Sequence, residues 1–159
     1  MPPLLIDWHL LWQTLEKLGL AYLLSMPTGW WGEKEGHATG VRTFPIVAMA
    51  SCGYLLILHG IPGSDGIAAN SRVLQGLVAG IGFVGGGAIV RAGMSVQGTA
   101  MAASIWNTGA IGAAVAIGRY EVAIVLAVLN ALTLVALVPL KKRLDRNDED
   151  SSLVVPQPK

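Results

Sequence analysis

Charged side chains divide this chain into apolar stretches of similar length, and that spacing limits the fold more than any other feature. The 11 Lys and Arg and 10 Asp and Glu residues leave charge-free runs at 18–32, 43–64, 73–90, 92–118 and 122–140. About 20 residues at about 1.5 Å rise each cross a hydrocarbon core of about 30 Å. Lipid offers no partner to backbone N–H and C=O groups, so runs of this kind are read as helices. Only the first run is too short. Extended back to Leu10 it reaches span length, placing Glu16 and Lys17 in its first turns, where Lys17 can snorkel to the interface. In the alternative, residues 4–17 lie along the membrane surface, anchored by Trp8 and Trp12.

The expected fold is therefore an all-α membrane protein, a bundle of about five transmembrane helices. The spans are predicted at about 10–31, 43–61, 73–90, 98–118 and 122–140, within one domain over residues 1–144. Residues 145–159, charged and then Ser- and Pro-containing, are expected to form a short disordered cytoplasmic tail. Composition agrees: 53% of the residues are hydrophobic and 13% charged, where water-soluble domains carry about 25% charged residues. A soluble globule of this make-up would expose aggregation-prone patches, so the bilayer is the expected solvent.

A net charge of +1 removes the general case for nucleic-acid binding, which needs clustered Lys and Arg. The single cysteine, Cys52, permits no intrachain disulfide and no Cys-based zinc spacing; in its apolar run it reads as an inert packing residue. Met1 to Leu15 contains Asp7 and His9 but no Lys or Arg, unlike a secretory signal, so the start is read as mature protein. His9, His37 and His59 fall near predicted ends or loops. No Ser-His-Asp or Cys-His set, HExxH or phosphate-binding loop occurs, so no enzymatic activity is expected.

Three regions carry the remaining information. The first is the loop Pro27 to Pro45. Trp30 and Trp31 suit the headgroup level, and Pro27 suits a helix end. Glu33 and Arg42 then sit at the cytoplasmic mouth, either as an ion pair tying two helices together or as solvated charges that only set topology. Glu33, Glu35 and His37 also offer ligands to a divalent ion, although Mg2+ needs only one or two carboxylates and the signal is weak.

The second is Gly76 to Arg91. Gly80-x-Gly82-x-x-Gly85 matches a dinucleotide fingerprint, but it lies inside a membrane-length apolar run, with Ala100 where an acidic residue would be needed. Gly76 and Gly80, like Gly82 and Gly86, have GxxxG spacing, which suits close helix packing. Gly85-Gly86-Gly87 leaves a second reading open: a broken or re-entrant span that exposes carbonyls to a polar cavity. The third region runs from Gly93 to Gly109, where small residues dominate and Ser104, Asn107 and Thr108 add uncharged hydrogen-bonding groups that favour another helix over lipid. Trp106 is a large anchor among them.

In order and spacing these regions resemble the MgtC/SapB family of bacterial inner-membrane proteins. Gly40-Val41-Arg42-Thr43 is similar to the family's Gly-Leu-Arg-Thr at the start of the second span. Gly80-Ile81-Gly82-Phe83-Val84-Gly85-Gly86-Gly87 resembles Gly-Ile-Gly-Phe-Leu-Gly-Ala-Gly, and Ala102-Ala103-Ser104-Ile105-Trp106 matches Ala-Ala-Ser-x-Trp. The resemblance covers about residues 18–140.

Departures reduce the polar and acidic inventory. The family's Gly-Leu-Glu-Arg-Glu aligns with Gly29-Trp30-Trp31-Gly32-Glu33, so Trp31 replaces the first carboxylate. Ala100-Met101 stands where Thr-Thr is frequent, and Asn70 stands near a position that is commonly Asp. Longer members carry an ACT-like C-terminal domain; this chain, ending 19 residues after Leu140, is expected to be a short form.

The resemblance implies either a magnesium transporter or a small membrane regulator that binds other membrane proteins, linked to low-magnesium growth and survival in phagocytes. With no deep charged site outside the first span and no convincing internal repeat, the residues favour the regulator, acting on a membrane-protein partner or a second copy. No cofactor is expected; Mg2+ enters as a ligand or signal, with Glu33 the candidate ligand. The interaction residues are expected among the motifs above, together with Gly98.

Five spans with a cytoplasmic C-terminus place Lys34, Arg42, Arg91, Lys141, Lys142, Arg143, Arg146 and Lys159 inside and Lys17, Arg72 and Arg119 outside. Eight against three favours N-out, C-in. A reporter fused to the C-terminus is expected to be active in the cytoplasm. Periplasmic activity would mean that the span count or the orientation is wrong.

Overall fold

The computed structural model describes residues 7–34, 40–61, 67–92 and 95–152. Five helices follow one another: α1 (Trp8–Lys34), α2 (Thr43–His59), α3 (Ile67–Gly87), α4 (Thr99–Ala116) and α5 (Tyr120–Ser152). Each overlaps one of the expected spans. Among the described residues, Tyr120–Leu137 in α5 is the one stretch long and apolar enough to cross a membrane by length and composition alone, and α2 is a shorter apolar helix.

Three details depart from the sequence expectation. α1 is one continuous helix from Trp8, which accords with the extension back to Leu10, but Pro27 lies inside it rather than at its end. α5 continues through residues 145–152, which were expected in a disordered tail. That stretch holds no Gly or Pro, so its composition does not oppose a helix. The rest of the expected tail, 153–159, lies outside the described residues. Finally, the chain is not purely helical. Strands β1 (Val90–Ala92) and β2 (Ser95–Gln97) pair antiparallel between α3 and α4, with Val90 opposite Gln97 and Ala92 opposite Ser95.

α4 starts and stops on glycines in the left-handed region. Gly98 has φ 85°, and a Cβ there would collide with the Ala88 carbonyl oxygen. Only glycine can therefore turn the hairpin into α4 at this point. Gly118, at φ 77°, ends the helix while Arg119 N–H bonds the Ala114 carbonyl at 2.9 Å, the wrap-back expected of a glycine C-cap. Lys17 Nζ adds a 3.0 Å bond to the Ala116 carbonyl, placing a cation on the negative end of α4. Rather than only snorkelling, Lys17 joins the first helix to the fourth.

α4 is the most enclosed helix, with Ile111 to Ala116 buried in succession. Its closest neighbour is α2. A Cβ at Gly112 would collide with the Ala48 carbonyl oxygen and stand 3.0 Å from Ser51 Cβ, and one at Gly109 would collide with the Ile81 methyl. One core cluster gathers Ala21, Ala48, Cys52, Leu55, Ile111, Val115 and Ala123, and Cys52 is the buried packing residue expected. A second cluster, Phe44, Ile81, Met101, Ile105 and Leu134, has Trp31 and Ala88 at its edge. It joins the end of α1 to the start of α2 and the end of α3.

The two buried glycines should respond differently to alanine. At position 112 the obstacle is backbone, which cannot move cheaply, so Gly112→Ala is expected to cost about 1–3 kcal/mol. At position 109 the obstacle is the tip of Ile81, which can rotate away, and the gain of about 1 kcal/mol in helix propensity offsets the strain. Thermal unfolding of the two purified variants in detergent checks the order.

Candidate functional site

The first assembled site is the corner between α1 and α2. Pro45 is the third residue of α2 and lacks an N–H where none has a helical acceptor. Arg42, the residue before the helix, makes no side-chain capping bond. The cap comes from the neighbouring helix: Glu33 Oε2 accepts the Val41 N–H at 3.0 Å, setting a carboxylate at the positive end of α2. Gly40 makes room for it, since a Cβ there would collide with that carboxylate. Gly29 closes the corner, because a Cβ there would stand 3.0 Å from Val41 Cα and 3.5 Å from the Phe44 ring. Phe44 is fully buried behind them.

Of the two readings of Glu33 and Arg42, the ion pair is not formed. Glu33 grips the backbone one residue earlier, where the bare Gly40 lets it in, and Arg42 is exposed. The ion pair among the described residues is Arg119 with Glu121. Thr43 opens α2. Glu35 and His37 lie outside the described residues, and no group of three His, Cys, Asp or Glu able to hold a metal occurs among the described ones.

α3 bears on both readings of its glycines. The helix is unbroken to Gly87, and the Gly85 and Gly86 carbonyls accept the Ala88 and Ile89 N–H groups at 3.0 and 3.2 Å. The glycine run therefore ends a helix, and the Gly85 and Gly86 carbonyls are engaged in the closing turn. Nor do the GxxxG pairs pack within the chain. Nothing lies within 4 Å of a Cβ built at Gly76, Gly80, Gly82, Gly86 or Gly87. The packed stripe is Leu77, Ile81 and Gly85, spaced by four, and Gly85 approaches the Ala102 carbonyl oxygen, with 3.1 Å to a built Cβ. At 3.6 residues per turn, Gly76 and Gly80 lie about 100° to one side of this stripe and Gly82 and Gly86 about 100° to the other. Both pairs are open, and Phe83 beyond them is 86% exposed.

On α4, Ala102 and Ser104 are buried, whereas Ala103 and Trp106 are exposed. Ser104 Oγ bonds Asn130 Oδ1 at 3.1 Å, and Asn130 Nδ2 bonds Thr28 Oγ1 at 3.2 Å. This seam joins α4, α5 and α1 through uncharged groups. Thr108 returns a bond to the Ser104 carbonyl at 2.8 Å, and Asn107 donates to the Leu126 carbonyl at 3.3 Å. Thr28 and Asn130 were missed in the sequence, although a lone amide within 122–140 was the available signal. Trp31 Nε1 and Asn70 Oδ1 are buried without a hydrogen-bond partner among the described residues. The structure thus unites Gly29, Glu33 and Gly40, and separately Gly85 and Ala102, but leaves the GxxxG faces outward.

Comparison with known proteins accords with these motif positions. The MgtC family profile matches residues 18–143. The chain belongs to the MgtC family. Its relatives include Protein SrpB of Synechococcus elongatus, 34% identical over 129 residues covering 74% of this chain and 71% of that protein. The Putative magnesium transporter YhiD of Escherichia coli K12 is 29% identical over 74% of this chain and 57% of that protein. Protein MgtC of Brucella abortus is 30% identical over 66% of this chain. The chain spans about half the length of two of these relatives, 57% of YhiD and 43% of the Brucella protein. No solved structure matches. MgtC family proteins are membrane proteins.

The corner predicts a coupled pair of substitutions. Glu33→Ala should cost about 1 kcal/mol through the lost bond to Val41 N–H, and Gly40→Ala should cost more by displacing the carboxylate. With the carboxylate gone the new methyl has space, so the double variant should be more stable than the sum of the singles by at least about 0.5 kcal/mol. A double-mutant cycle on thermal unfolding in detergent measures the coupling.

Proposed function

We propose that this member of the MgtC family is a non-enzymatic, multi-pass protein of the bacterial inner membrane that regulates other membrane proteins through helix-to-helix contact. In this reading all five helices cross the bilayer, with the N-terminus outside and the C-terminus in the cytoplasm. α3 is its working element. The observation that carries the reading is the open Gly82 and Gly86 face, beside the exposed Phe83. Small residues let two backbones approach closely in lipid, where no hydrophobic drive brings helices together. Glu33, Gly29 and Gly40 then hold the corner that fixes α1 and α2, and Gly85 and Ala102 fix α3 on α4.

A second reading is divalent-cation transport, favoured by the name of the Escherichia coli relative, Putative magnesium transporter YhiD. Glu33 is its candidate ligand. Against it, Glu33 is committed to a backbone N–H and the Gly85 and Gly86 carbonyls to a closing turn. The seam through Thr28, Ser104 and Asn130 is uncharged, where intramembrane transport sites usually keep an ionisable group.

Two measurements separate these readings. Gly82→Ile and Gly86→Ile should abolish growth support at limiting magnesium while the chain still inserts in the membrane; undisturbed growth in both variants would sink the contact reading. Purified protein in sealed vesicles should move Mg2+ no faster than protein-free vesicles, and a flux that Glu33→Ala removes would establish transport instead.

A further inference from the structure

On the other side of α3 from Gly82 and Gly86, a groove of about 630 Å³ runs between α2 and α3. Its floor is Gly76 and Gly80, and its walls include Ala50, Tyr54, Ile57 and Val84. We propose that this groove holds one acyl chain of an anionic phospholipid, with the headgroup at Arg72. The proposal rests on the membrane-spanning reading of α2 and α3.

The lining argues for a lipid chain. It extends along α2 from Val47 to Leu58, which at about 1.5 Å per residue is roughly 16 Å, and continues to Ile61 past the helix end. It is apolar apart from the Ser51 and Tyr54 hydroxyls, and the Ser51 hydroxyl already bonds the Val47 carbonyl of its own helix. Such a surface suits a hydrocarbon chain lying against α2 and α3. The open glycines make the slot: a leucine at either position would project into it.

Charge argues for an anionic head. Arg72 precedes Gly76 and Gly80 at i, i+4 and i+8, so it stands at the end of the groove floor, on the same face. Three cations described at this end of the bundle are Lys17, Arg72 and Arg119. The Lys17 ammonium is taken by the Ala116 carbonyl and Arg119 by Glu121. Arg72 is exposed, with no ion pair among the described residues. Its long side chain can meet a phosphate at the interface while its stem stays along the apolar surface.

The test is native mass spectrometry of the detergent-purified chain after exchange into phosphatidylglycerol or phosphatidylcholine. The wild type should retain one phosphatidylglycerol. Gly80→Leu and, from the α2 wall, Ala50→Phe should each lose it while remaining in the membrane after alkaline extraction. Arg72→Gln should keep a bound lipid but lower the preference for phosphatidylglycerol by about fivefold, the factor one cation at the surface supplies. Retention of the lipid by both groove-filling variants would overturn the site, as would cross-linking from Gly80→Cys to a second protein chain. Release of the wild type by alkaline extraction would instead remove the membrane-spanning reading on which the site depends.

Discussion

The contact on which the rest of the bundle depends is the approach of α2 to α4, where Gly112 leaves no space for a side chain beside the Ala48 carbonyl. Lipid gives helices no hydrophobic reason to associate, so dispersion contacts between close backbones have to supply it. Small residues achieve this along one seam: Ala48, Ser51 and Cys52 of α2 against Gly109, Gly112, Ala113 and Ala116 of α4. With that pair set, Ala21 of α1 and Ala123 and Ala127 of α5 complete the same cluster. The outward surface needs no such shape, and long apolar side chains such as Ile124, Leu129 and Leu132 remain exposed on α5.

Polar groups then fix what packing alone would leave free to slide. Asn130 sits between Ser104 and Thr28, so α5 has a preferred register against both α4 and α1. The net worth of each such bond in a membrane is modest, about 0.6 kcal/mol on average. Their value is directional. Glu33 does the same for α2 from outside the helix, and Lys17 for α4. At both helix termini the neutralising group comes from α1, which makes the first helix a clamp on two others.

Much of the architecture could be read from charge spacing, because in lipid a charged residue marks a boundary almost wherever it stands. The five helices overlap the five apolar runs. Motif spacing likewise pointed to the Gly29, Glu33 and Gly40 corner, although it left Glu33 either paired with Arg42 or solvated and missed the backbone of Val41. An N–H is present in every residue and leaves no trace in a sequence. The hairpin was missed for a related reason: two strands of three residues give no periodicity to detect, and only Val90 and Val96 around Gly93-Met94 hinted at it. The helical course of residues 145–152 was masked by their charge, which suits solvent but does not forbid a helix.

The glycines illustrate how far spacing can mislead. Gly76 and Gly80 share GxxxG spacing with Gly82 and Gly86, yet the close approaches among α2, α3 and α4 are made by Gly85, Gly109 and Gly112, none of which lies in such a pair. Spacing identifies a smooth face; it does not say what covers it. Each glycine in a helix interior weakens it by about 0.8–1.0 kcal/mol relative to alanine. At Gly109 and Gly112 that loss is offset by packing that alanine would strain. At Gly76, Gly80, Gly82 and Gly86 nothing in the chain offsets it, because a Cβ at any of them would meet open space. In the proposed reading, what makes use of their bareness comes from outside the chain, and the two faces differ in kind. One borders a groove with Arg72 at its end, exposed and without an ion pair among the described residues, and the other continues the line of Leu74 and Val78 beside an exposed phenylalanine. In that reading a bilayer supplies an occupant for each, a lipid for the first and another helix for the second.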